Sequence, residues 1–341
     1  MKKKVALLLS LTMILFFTAC AGESSSGQAS SAAAAPAVSE SGSSSAADLD
    51  YPKDSVEFIV PWSAGGANDL YARILSEGFL NLTGVANPVV NIEGASGSIG
   101  FAECLNGEAD GYTVCGFSPN IIINSLDENC TYNLEDVQYI IGVNEDIRAI
   151  CVPADSPFDD LQGFIDYAKE HPGELNVAHG GAGTISYYAL VDLENKAGID
   201  INPIPFNGAT PGITACLGGH VDACAPTVGE CLSYVQSGQM KCVAVLGNDR
   251  AVELPDVGTA KEIGIDCVHT ALRGIFCKAG TPEPIVQYLH DTYKALLDDP
   301  EIQEQFAAIN VTVNYYSAEE VTEMMNDLYT VYAELMAAEK A

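Results

Sequence analysis

The sequence EFIVPWSAGGAND, residues 57–69, decides the fold. A short run of β-forming residues is followed by Gly65 and Gly66, and apolar residues then recur at helical spacing. A strand that passes through a glycine-rich loop into a helix is typical of α/β proteins, which bind ligands at such loops. Free loop N–H groups and the helix dipole suit a carboxylate or a phosphate. Asn68 or Asp69 could instead cap the helix, which is compatible with the same loop.

Three more loops follow predicted strands in the same manner. HGGAGT at 179–184 leads from a strand into a helix, GFSPN at 116–120 adds a hydroxyl and an amide, and PFNGATP at 205–211 precedes another helical run. One glycine-rich turn is a weak signal, because such turns are common. Four at comparable points of the chain predict a cleft that binds a small anion. We call residues 61–69 the first loop, 179–184 the second, 116–120 the third and 205–211 the fourth.

Strand and helix patterns alternate along residues 51–341 and end in a long helical pattern at 319–338. This alternation predicts α/β units with mainly parallel sheets. About 290 residues would be large for one open sheet, so we expect two α/β lobes with the cleft between them. Lobe 1 is expected to comprise residues 51–150 and 277–341, and lobe 2 residues 151–276.

The N-terminus has the pattern of an export signal. Three lysines precede an apolar stretch too short to span a membrane, and the stretch ends in Thr18-Ala19-Cys20. Small residues before a cysteine resemble the lipobox of bacterial lipoproteins, so we expect residues 1–19 to be cleaved and Cys20 to be lipidated. Ordinary cleavage near Ala19 is the alternative. Residues 20–50 are expected to form a disordered tether, because residues 21–47 hold 10 Ser, 9 Ala and 3 Gly.

The chain is strongly acidic, with 46 acidic and 15 basic residues among 341 and a net charge of −31. Loss of the three signal lysines gives a mature charge of −31 − 3 = −34. So acidic a chain excludes nucleic acid as a partner, because phosphate binding requires a basic patch. The composition, 48% apolar, is that of a protein with a packed core. No apolar run reaches the ~18 residues of a membrane span.

Eleven cysteines are present, and ten remain if Cys20 carries lipid. Most have apolar neighbours, so we expect buried free thiols rather than disulfides. The spacing of Cys216, His220 and Cys224 would suit a metal on a helix, but two glycines interrupt that helix. We therefore expect no metal site.

The sequence lacks the common catalytic motifs. GASGSIG at 94–100 has GxxGxxG spacing, which differs from the dinucleotide fingerprint GxGxxG. A P-loop lysine, a GxSxG elbow and an HExxH motif are missing from the sequence. His179 stands in the second loop with no evident partner for proton transfer. We therefore expect a protein that is not an enzyme and uses no cofactor.

Longer motifs around these loops resemble one family. They are EFIVPWSAGGAND (57–69), PVVNIEGASGSIGFAECLNGEADGYT (88–113), IPFNGATPGITACLGGHVDACA (204–225), LPDV (254–257), RGIF (273–276) and AGTP (279–282). In this order they resemble the substrate-binding proteins of tripartite tricarboxylate transporters, also called the Bug family. The resemblance covers nearly all of residues 51–341. It implies an α/β, two-lobed, type II periplasmic-binding-protein fold that closes over a small carboxylate.

The resemblance also implies a ligand site between the lobes. One ligand carboxyl group is expected between the first and second loops, held by backbone N–H groups, hydroxyls and ordered waters. The residues expected to line the cleft are Trp62, Ser63, Ala64, Gly65, Gly66, Asn68, Asp69, Ser118, Asn120, His179, Gly181, Ala182, Gly183, Thr184, Asn207, Gly208 and Asp222. Arg273 is added because an acidic protein needs local positive charge to capture an anion, although a salt bridge to one of the many acids is the alternative. Trp62 and His179 depart from the family pattern, which leaves the carboxylate unidentified.

These features predict a function in solute capture. We expect a monomeric, extracytoplasmic lipoprotein that binds a small carboxylate and delivers it to the permease subunits of a tripartite transporter. Binding would shift an open–closed equilibrium, and the closed form would engage the permease. Presentation of the loaded form to a sensor kinase is an alternative. A secreted hydrolase is disfavoured, because the sequence shows no paired nucleophile and base.

Overall fold

The computed structural model describes residues 49–339, and their side chains as far as residue 338. The predicted signal peptide, Cys20 and nearly all of the predicted tether lie outside these residues. The ten strands are β1 (Glu57–Val60), β2 (Val89–Asn91), β3 (Thr113–Phe117), β4 (Val137–Ile147), β5 (Ala149–Pro153), β6 (Asn176–His179), β7 (Asn202–Pro205), β8 (Ala223–Cys224), β9 (Met240–Val245) and β10 (Thr270–Lys278). The ten α-helices are α1 (Ala67–Thr83), α2 (Ser98–Asn106), α3 (Asn120–Ser125), α4 (Leu161–Glu170), α5 (Ile185–Ala197), α6 (Ala209–Leu217), α7 (Val228–Gln236), α8 (Glu283–Leu297), α9 (Pro300–Ala308) and α10 (Ala318–Glu339).

The strands form two sheets of the same design. The first sheet has the order β2-β1-β3-β10-β4, and the second has the order β7-β6-β8-β5-β9. In the first sheet β1 pairs in parallel with β2 and β3, whereas β10 runs antiparallel to β3 and β4. In the second sheet β6 pairs in parallel with β7 and β8, whereas β5 runs antiparallel to β8 and β9. Four of the five strands in each sheet therefore run in the same direction, in agreement with the prediction of mainly parallel sheets, and one strand in each, β10 or β5, runs against both of its neighbours.

The chain passes between the two sheets at two places. Arg148 separates β4 of the first sheet from β5 of the second, and residues 246–269 lead from β9 back to β10. The two passages are hydrogen-bonded to each other, from Arg148 N to His269 O at 3.0 Å and from Leu246 N to Arg148 O at 2.7 Å. The described residues belong to one compact unit. The predicted lobe boundaries at residues 151 and 277 fall inside β5 and β10, and the division into moving lobes stays a prediction.

Both β4 and β10 escaped the sequence analysis, although they are the longest strands described. Thr270 to Cys277 of β10 are all buried, but Arg273 and Gly274 interrupt its apolar pattern. Gly274 is required by packing, because a Cβ atom there would lie 2.2 Å from the carbonyl oxygen of Ile141 on β4. A strand that contains a buried arginine and a packing glycine does not show the pattern of a buried strand.

The cysteines are buried and unpaired. All ten within the described range are free thiols, nine of them buried and Cys130 half-buried. The prediction of free thiols is confirmed. The spacing of Cys216, His220 and Cys224 does not place them on one helix, because α6 ends at Leu217 and Cys224 lies on β8.

Within residues 49–339, none of the helices is both long enough and apolar enough to cross a bilayer.

Candidate functional site

The first loop joins β1 to α1, and a buried carboxylate holds it in place. Asp69 in the first turn of α1 is 2% exposed. Its Oδ2 accepts hydrogen bonds from Gly65 N at 2.8 Å and from Arg73 Nε at 2.9 Å, and its Oδ1 accepts one from Asn91 Nδ2 at 2.9 Å. Asn91 also donates to the carbonyl oxygen of Trp62 at 3.0 Å. Protein donors thus occupy both carboxylate oxygens, so the structure places Asp69 as a positioning residue beneath the loop.

The charge of Asp69 is secured by the same contacts. Burial by itself would raise the pKa of Asp69, but hydrogen bonds from Arg73, Gly65 and Asn91 outweigh burial and hold the pKa below its ordinary value of 3.8. Asp69 is therefore a carboxylate near neutral pH and compensates Arg73. The first loop gains no net positive charge from that arginine.

The rest of the first loop presents small groups to solvent. Its exposed residues are Ser63, Ala64, Gly65 and Gly66, while Trp62 and Asn68 are half-buried. Gly65 has φ +82°, which favours glycine, whereas Gly66 has φ −78°, which any residue can adopt. The first amides of α1 have no intrahelical acceptor and are available to an anion.

The second loop joins β6 to α5, and neutral groups hold it in place. Thr184 Oγ1 donates to Gly181 O at 2.6 Å and accepts a weaker bond from Tyr187 N at 3.4 Å, which caps α5. Ser186 Oγ accepts from Gly180 N at 2.9 Å. The two hydroxyls therefore fix this loop as Asp69 fixes the first one, but without charge.

Two glycines give the second loop its shape. Gly181 has φ +120° and Gly183 has φ +72°, conformations that side chains rarely adopt. Ala182 between them is exposed. The loop can therefore turn tightly into α5 and leave the first amides of that helix uncovered.

His179 ends β6 and lies under the second loop, only 4% exposed. Its Nδ1 lies 3.2 Å from Gly181 N and 3.1 Å from Gly181 O, and its ring centroid lies 5.1 Å from that of Tyr187. Burial lowers the pKa of His179, and the hydrogen bond with Gly181 opposes burial only in part, so the ring is neutral near neutral pH. His179 brings no positive charge to the loop.

The fourth loop lies beside the second, because β6 and β7 are parallel neighbours whose carboxyl ends meet. Phe206 N donates to His179 O at 2.9 Å, and Gly208 N donates to Gly180 O at 3.3 Å. Asn207 and Gly208 are exposed, and Gly208 has φ +98°. The structure therefore brings both predicted fourth-loop residues to the second loop.

The third loop is more buried than the sequence implied. Ser118 is 5% exposed and Asn120 is 7% exposed, and Asn120 begins helix α3. Asn120 Nδ2 donates to Ser96 O at 3.3 Å, while Asn120 Oδ1 and the half-buried Asn68 Oδ1 are buried with no hydrogen-bond partner among the described residues. Buried polar atoms are nearly always satisfied, so each of these two amide oxygens can accept a hydrogen bond from a ligand or water.

Two contacts bring the loops of the first sheet to the second loop. Ser96 Oγ lies 3.5 Å from Ala182 O. Trp62 packs against the hydrophobic cluster that also contains Ile185 and Tyr188 of α5, and its ring meets that of Phe101 at 5.7 Å. The segment between β2 and α2 therefore contacts the second loop, and Trp62 of the first loop packs on the same hydrophobic cluster as α5.

Sequence analysis missed three residues of this region. Asn91 is the last residue of β2, and Glu93 and Ser96 follow that strand; the three residues make contacts to the first, second and third loops. They lie inside the quoted motif at 88–113, so the resemblance was the only sequence signal for them. Gly100 in the same motif is needed for close packing, because a Cβ there would lie 2.8 Å from both Ile92 O and Pro61 Cα.

Two predicted site residues lie elsewhere. Asp222 precedes β8, and its Oδ2 accepts from Asn176 N at 2.8 Å. Asn176 begins β6, so Asp222 lies at the opposite end of the sheet from the second loop. Arg273 lies in the middle of β10, 4% exposed, and donates to Asn144 Oδ1 at 2.7 Å and to Asp146 Oδ2 at 3.4 Å. The salt-bridge alternative for Arg273 describes what the structure shows.

The candidate site offers neutral donors to an anion. The four loops contain no lysine or arginine, and the nearby Arg73 forms an ion pair with Asp69. Backbone N–H groups at helix N-termini, assisted by the helix dipole, bind carboxylates without a side-chain cation.

One cluster away from the cleft has donor atoms of the metal-binding type. Asp192, Cys267 and His269 are buried and offer one ligand atom each within 4.8 Å of the others. Asp192 Oδ2 already accepts hydrogen bonds from Lys196 Nζ at 2.8 Å and from His269 Nε2 at 2.9 Å. The carboxylate is thus compensated by a lysine, and the cluster ties α5 to the passage between the sheets.

Two similar sheets, each with an antiparallel strand and a glycine-rich loop before a helix, are the features of the type II periplasmic-binding-protein fold. The model of the family described as "Tripartite tricarboxylate transporter family receptor" matches residues 71–338, and the chain belongs to this family. Its members are solute-binding receptors rather than enzymes. The predicted resemblance, fold class and lack of enzymatic function are confirmed.

Individual relatives agree with this assignment. A curated protein from Cupriavidus necator, "UPF0065 protein in gbd 5'region", is 30% identical over 79% of this chain and 83% of its own. Protein BugT from Bordetella pertussis is 28% identical over 81% of this chain and 86% of its own.

Solved structures share the fold. A TctC solute-binding protein from Polaromonas, solved without ligand, is 30% identical, with a TM-score of 0.73 over 84% of this chain and 99% of that one. MatC from Rhodopseudomonas palustris, solved with bound malate, is 24% identical, with a TM-score of 0.75 over 84% of this chain and 99% of that one. The second likeness is one of fold alone.

Proposed function

We propose that this protein is a lipid-anchored, extracytoplasmic receptor that captures a small carboxylate and delivers it to the membrane permease of a tripartite transporter. The observation that carries the proposal is that the segment 93–96 contacts both glycine-rich loops, through Glu93 to Ser63 of the first loop and through Ser96 to Ala182 of the second. The two loops end in the N-termini of α1 and α5. Such termini bind carboxylates. The family name and the malate in the related MatC structure support this ligand class.

The ligand carboxylate lies between the first and second loops in this proposal. The amides that open α1 and α5 hold it. Asp69 positions the first loop and is not a contact. Closure of the two sheets over the ligand would create the form that the permease recognises, since a ligand that contacts both sides favours the closed state.

Ligand capture is tested on the full chain with Cys20→Ala, purified without denaturation. Mass spectrometry of small molecules released from the protein should find one organic acid at near-stoichiometric amounts. Added back after its removal, the acid should bind one to one by calorimetry. Failure of any carboxylate to bind would contradict the proposal.

Lipid anchoring and delivery need tests in cells. Wild-type protein should fractionate with membranes, whereas Cys20→Ala should be released to the soluble fraction. Deletion of the gene should abolish uptake of the identified acid by whole cells. Equal fractionation of both proteins would contradict the anchor, and unchanged uptake would contradict the delivery role. Sedimentation of the soluble variant tests the proposed monomer.

A further inference from the structure

Glu93 lies beside the exposed hydroxyl of the first loop. β1 and β2 are parallel neighbours with Val60 opposite Asn91, so the residues that follow these strands meet at one edge of the first sheet. There Ser63 Oγ donates a hydrogen bond to Glu93 Oε2 at 2.7 Å. The side chains of both residues are exposed, and a ligand at the first loop would meet them together.

The segment after Glu93 turns directly into the cleft. Residues 94–97 all have positive φ, including the non-glycine residues Ala95 at +47° and Ser96 at +53°. Such backbone is rare and is kept only where the surroundings hold it. Here the amides of Asn120 and Asn124 donate to Ser96 O at 3.3 and 3.1 Å, and Ser96 Oγ reaches the second loop. Glu93 is thus in contact with Ser63 of the first loop and lies three residues before Ser96, which contacts the second loop.

The carboxylate of Glu93 has no compensating cation. Among residues 49–338 no ion pair of the structure includes Glu93. Arg73 is the cation of the first loop, and it bonds Asp69 Oδ1 at 2.8 Å and Asn91 Oδ1 at 3.1 Å. The charges of Asp69 and Arg73 cancel, and His179 is neutral. Glu93 therefore gives the cleft a net negative side-chain charge.

We propose that Glu93 determines which carboxylates the cleft accepts. One ligand carboxylate is bound by the helix amides, while Glu93, beside the first loop, repels a second carboxylate of the ligand and attracts an ammonium group. The preferred class is a monocarboxylate whose other end is neutral or cationic. This inference rests on the proposed function of the same cleft.

A purely structural role for Glu93 predicts something different. If Glu93 only orients the Ser63 hydroxyl, then glutamine, whose Oε1 can accept the same hydrogen bond, should preserve all binding properties. Glu93→Gln therefore separates charge from hydrogen bonding. Glu77→Gln is the matched control, because Glu77 is exposed on α1 and the change alters net charge equally, away from the loop.

The experiment uses the full chain carrying Cys20→Ala and acids matched in length. Succinate, butanoate and 4-aminobutanoate form one set, and glutarate, pentanoate and 5-aminopentanoate form a longer one. Calorimetry should show the dicarboxylate of a set binding about tenfold more weakly than the amino acid of that set. Glu93→Gln should reduce this ratio at least fivefold, and Glu77→Gln should leave it unchanged.

Salt gives a second readout. Because Glu93 is exposed, its field should be screened when the Debye length shrinks to about 3 Å at ~1 M salt. The ratio measured for the wild-type protein should then approach that of Glu93→Gln.

Two failures are distinguishable. If the dicarboxylates bind best, or if Glu93→Gln leaves the ratio unchanged, charge selection by Glu93 is wrong while the carboxylate site stands. If no acid of either set binds and no acid copurifies, the proposed function itself is contradicted, and the inference falls with it.

Discussion

The first and second loops have the same structural role but are stabilised by different interactions. Each joins a parallel strand to a helix, and each opens that helix toward the cleft. Asp69, paired with Arg73, holds the first loop. Hydroxyls of Thr184 and Ser186 hold the second. One repeated unit of fold can therefore be stabilised by an ion pair in one sheet and by neutral hydrogen bonds in the other.

This difference has an electrostatic consequence for the cleft. The acid that fixes the first loop is cancelled by its own arginine, and the second loop needs no charge at all. Both helix N-termini are thus presented without a side-chain cation, although the whole chain carries a charge of −31. An anion is attracted only at short range, by amide dipoles.

The largest effect should follow from removing the carboxylate of the first loop. Asp69→Ala removes the acceptor of Gly65 N and one of the two acceptors of the Asn91 amide, both in part-buried hydrogen bonds, which costs about 2 kcal/mol of unfolding free energy. Half of the Arg73 side chain is exposed (51%), so water compensates the arginine and the loss stays below that of a fully buried pair. Chemical denaturation measures it, with Glu77→Ala as the exposed control on α1.

The same residue predicts a response to acid. Because the folded-state pKa of Asp69 lies below its ordinary value of 3.8, its stabilising contribution is complete above that pH and is lost as pH falls through the lower, folded value. The stability difference between wild type and Asp69→Asn should be constant above about pH 5 and should shrink below about pH 4. A difference that persists undiminished in strong acid would contradict the assigned role.

An intermediate effect should come from the shape of the second loop. Gly183→Ala adds a Cβ in open space but at φ +72°, which costs about 1 kcal/mol. Gly66→Ala, at φ −78° with its Cβ 3.4 Å from Ser63 O, should change stability by less than about 0.5 kcal/mol. Thermal unfolding compares the two variants. Equal losses would mean that conformation does not distinguish the loops.

The smallest effect concerns the pH dependence of the second loop. The pKa of His179 is lowered from its ordinary 6.5 by burial. As pH falls, the imidazole therefore binds a proton more readily in the unfolded chain than in the folded one. Stability should therefore decline as pH falls below about 6.5. His179→Gln should lack this part of the decline in unfolding free energy. If the unfolding free energies of the two proteins fall in parallel as pH is lowered, the neutral, buried state of the ring is contradicted.

Much of the fold could be predicted from the sequence where local patterns agree with the tertiary structure. Strand β1, the glycine-rich first loop and helix α1 follow one another as EFIVPWSAGGAND implied, and the long helical pattern at 319–338 corresponds to α10, Ala318–Glu339. β10 was missed because its centre contains Arg273 and Gly274, residues that make sense only beside Asn144 and Ile141 of β4. The mixed sheets likewise depend on long-range pairing that no local pattern shows.

The candidate site divides in the same way. Loop residues at strand ends could be predicted, because parallel strands bring their carboxyl ends together. Asp222 was misplaced because a sequence does not tell which end of a two-residue strand a side chain lies near. Glu93 and Ser96 were missed because their importance comes from contacts to Ser63 and Ala182, 30 and 86 residues away.

The central claim is that both loops bind the same ligand carboxylate. Hydrogen–deuterium exchange of the full chain carrying Cys20→Ala, with and without the acid that copurifies, tests it most directly. The account predicts that amides of residues 65–70 and 181–187 become protected together, while α8 at 283–297 does not change. Protection confined to one loop, or absent from both while the acid is bound, would contradict the account.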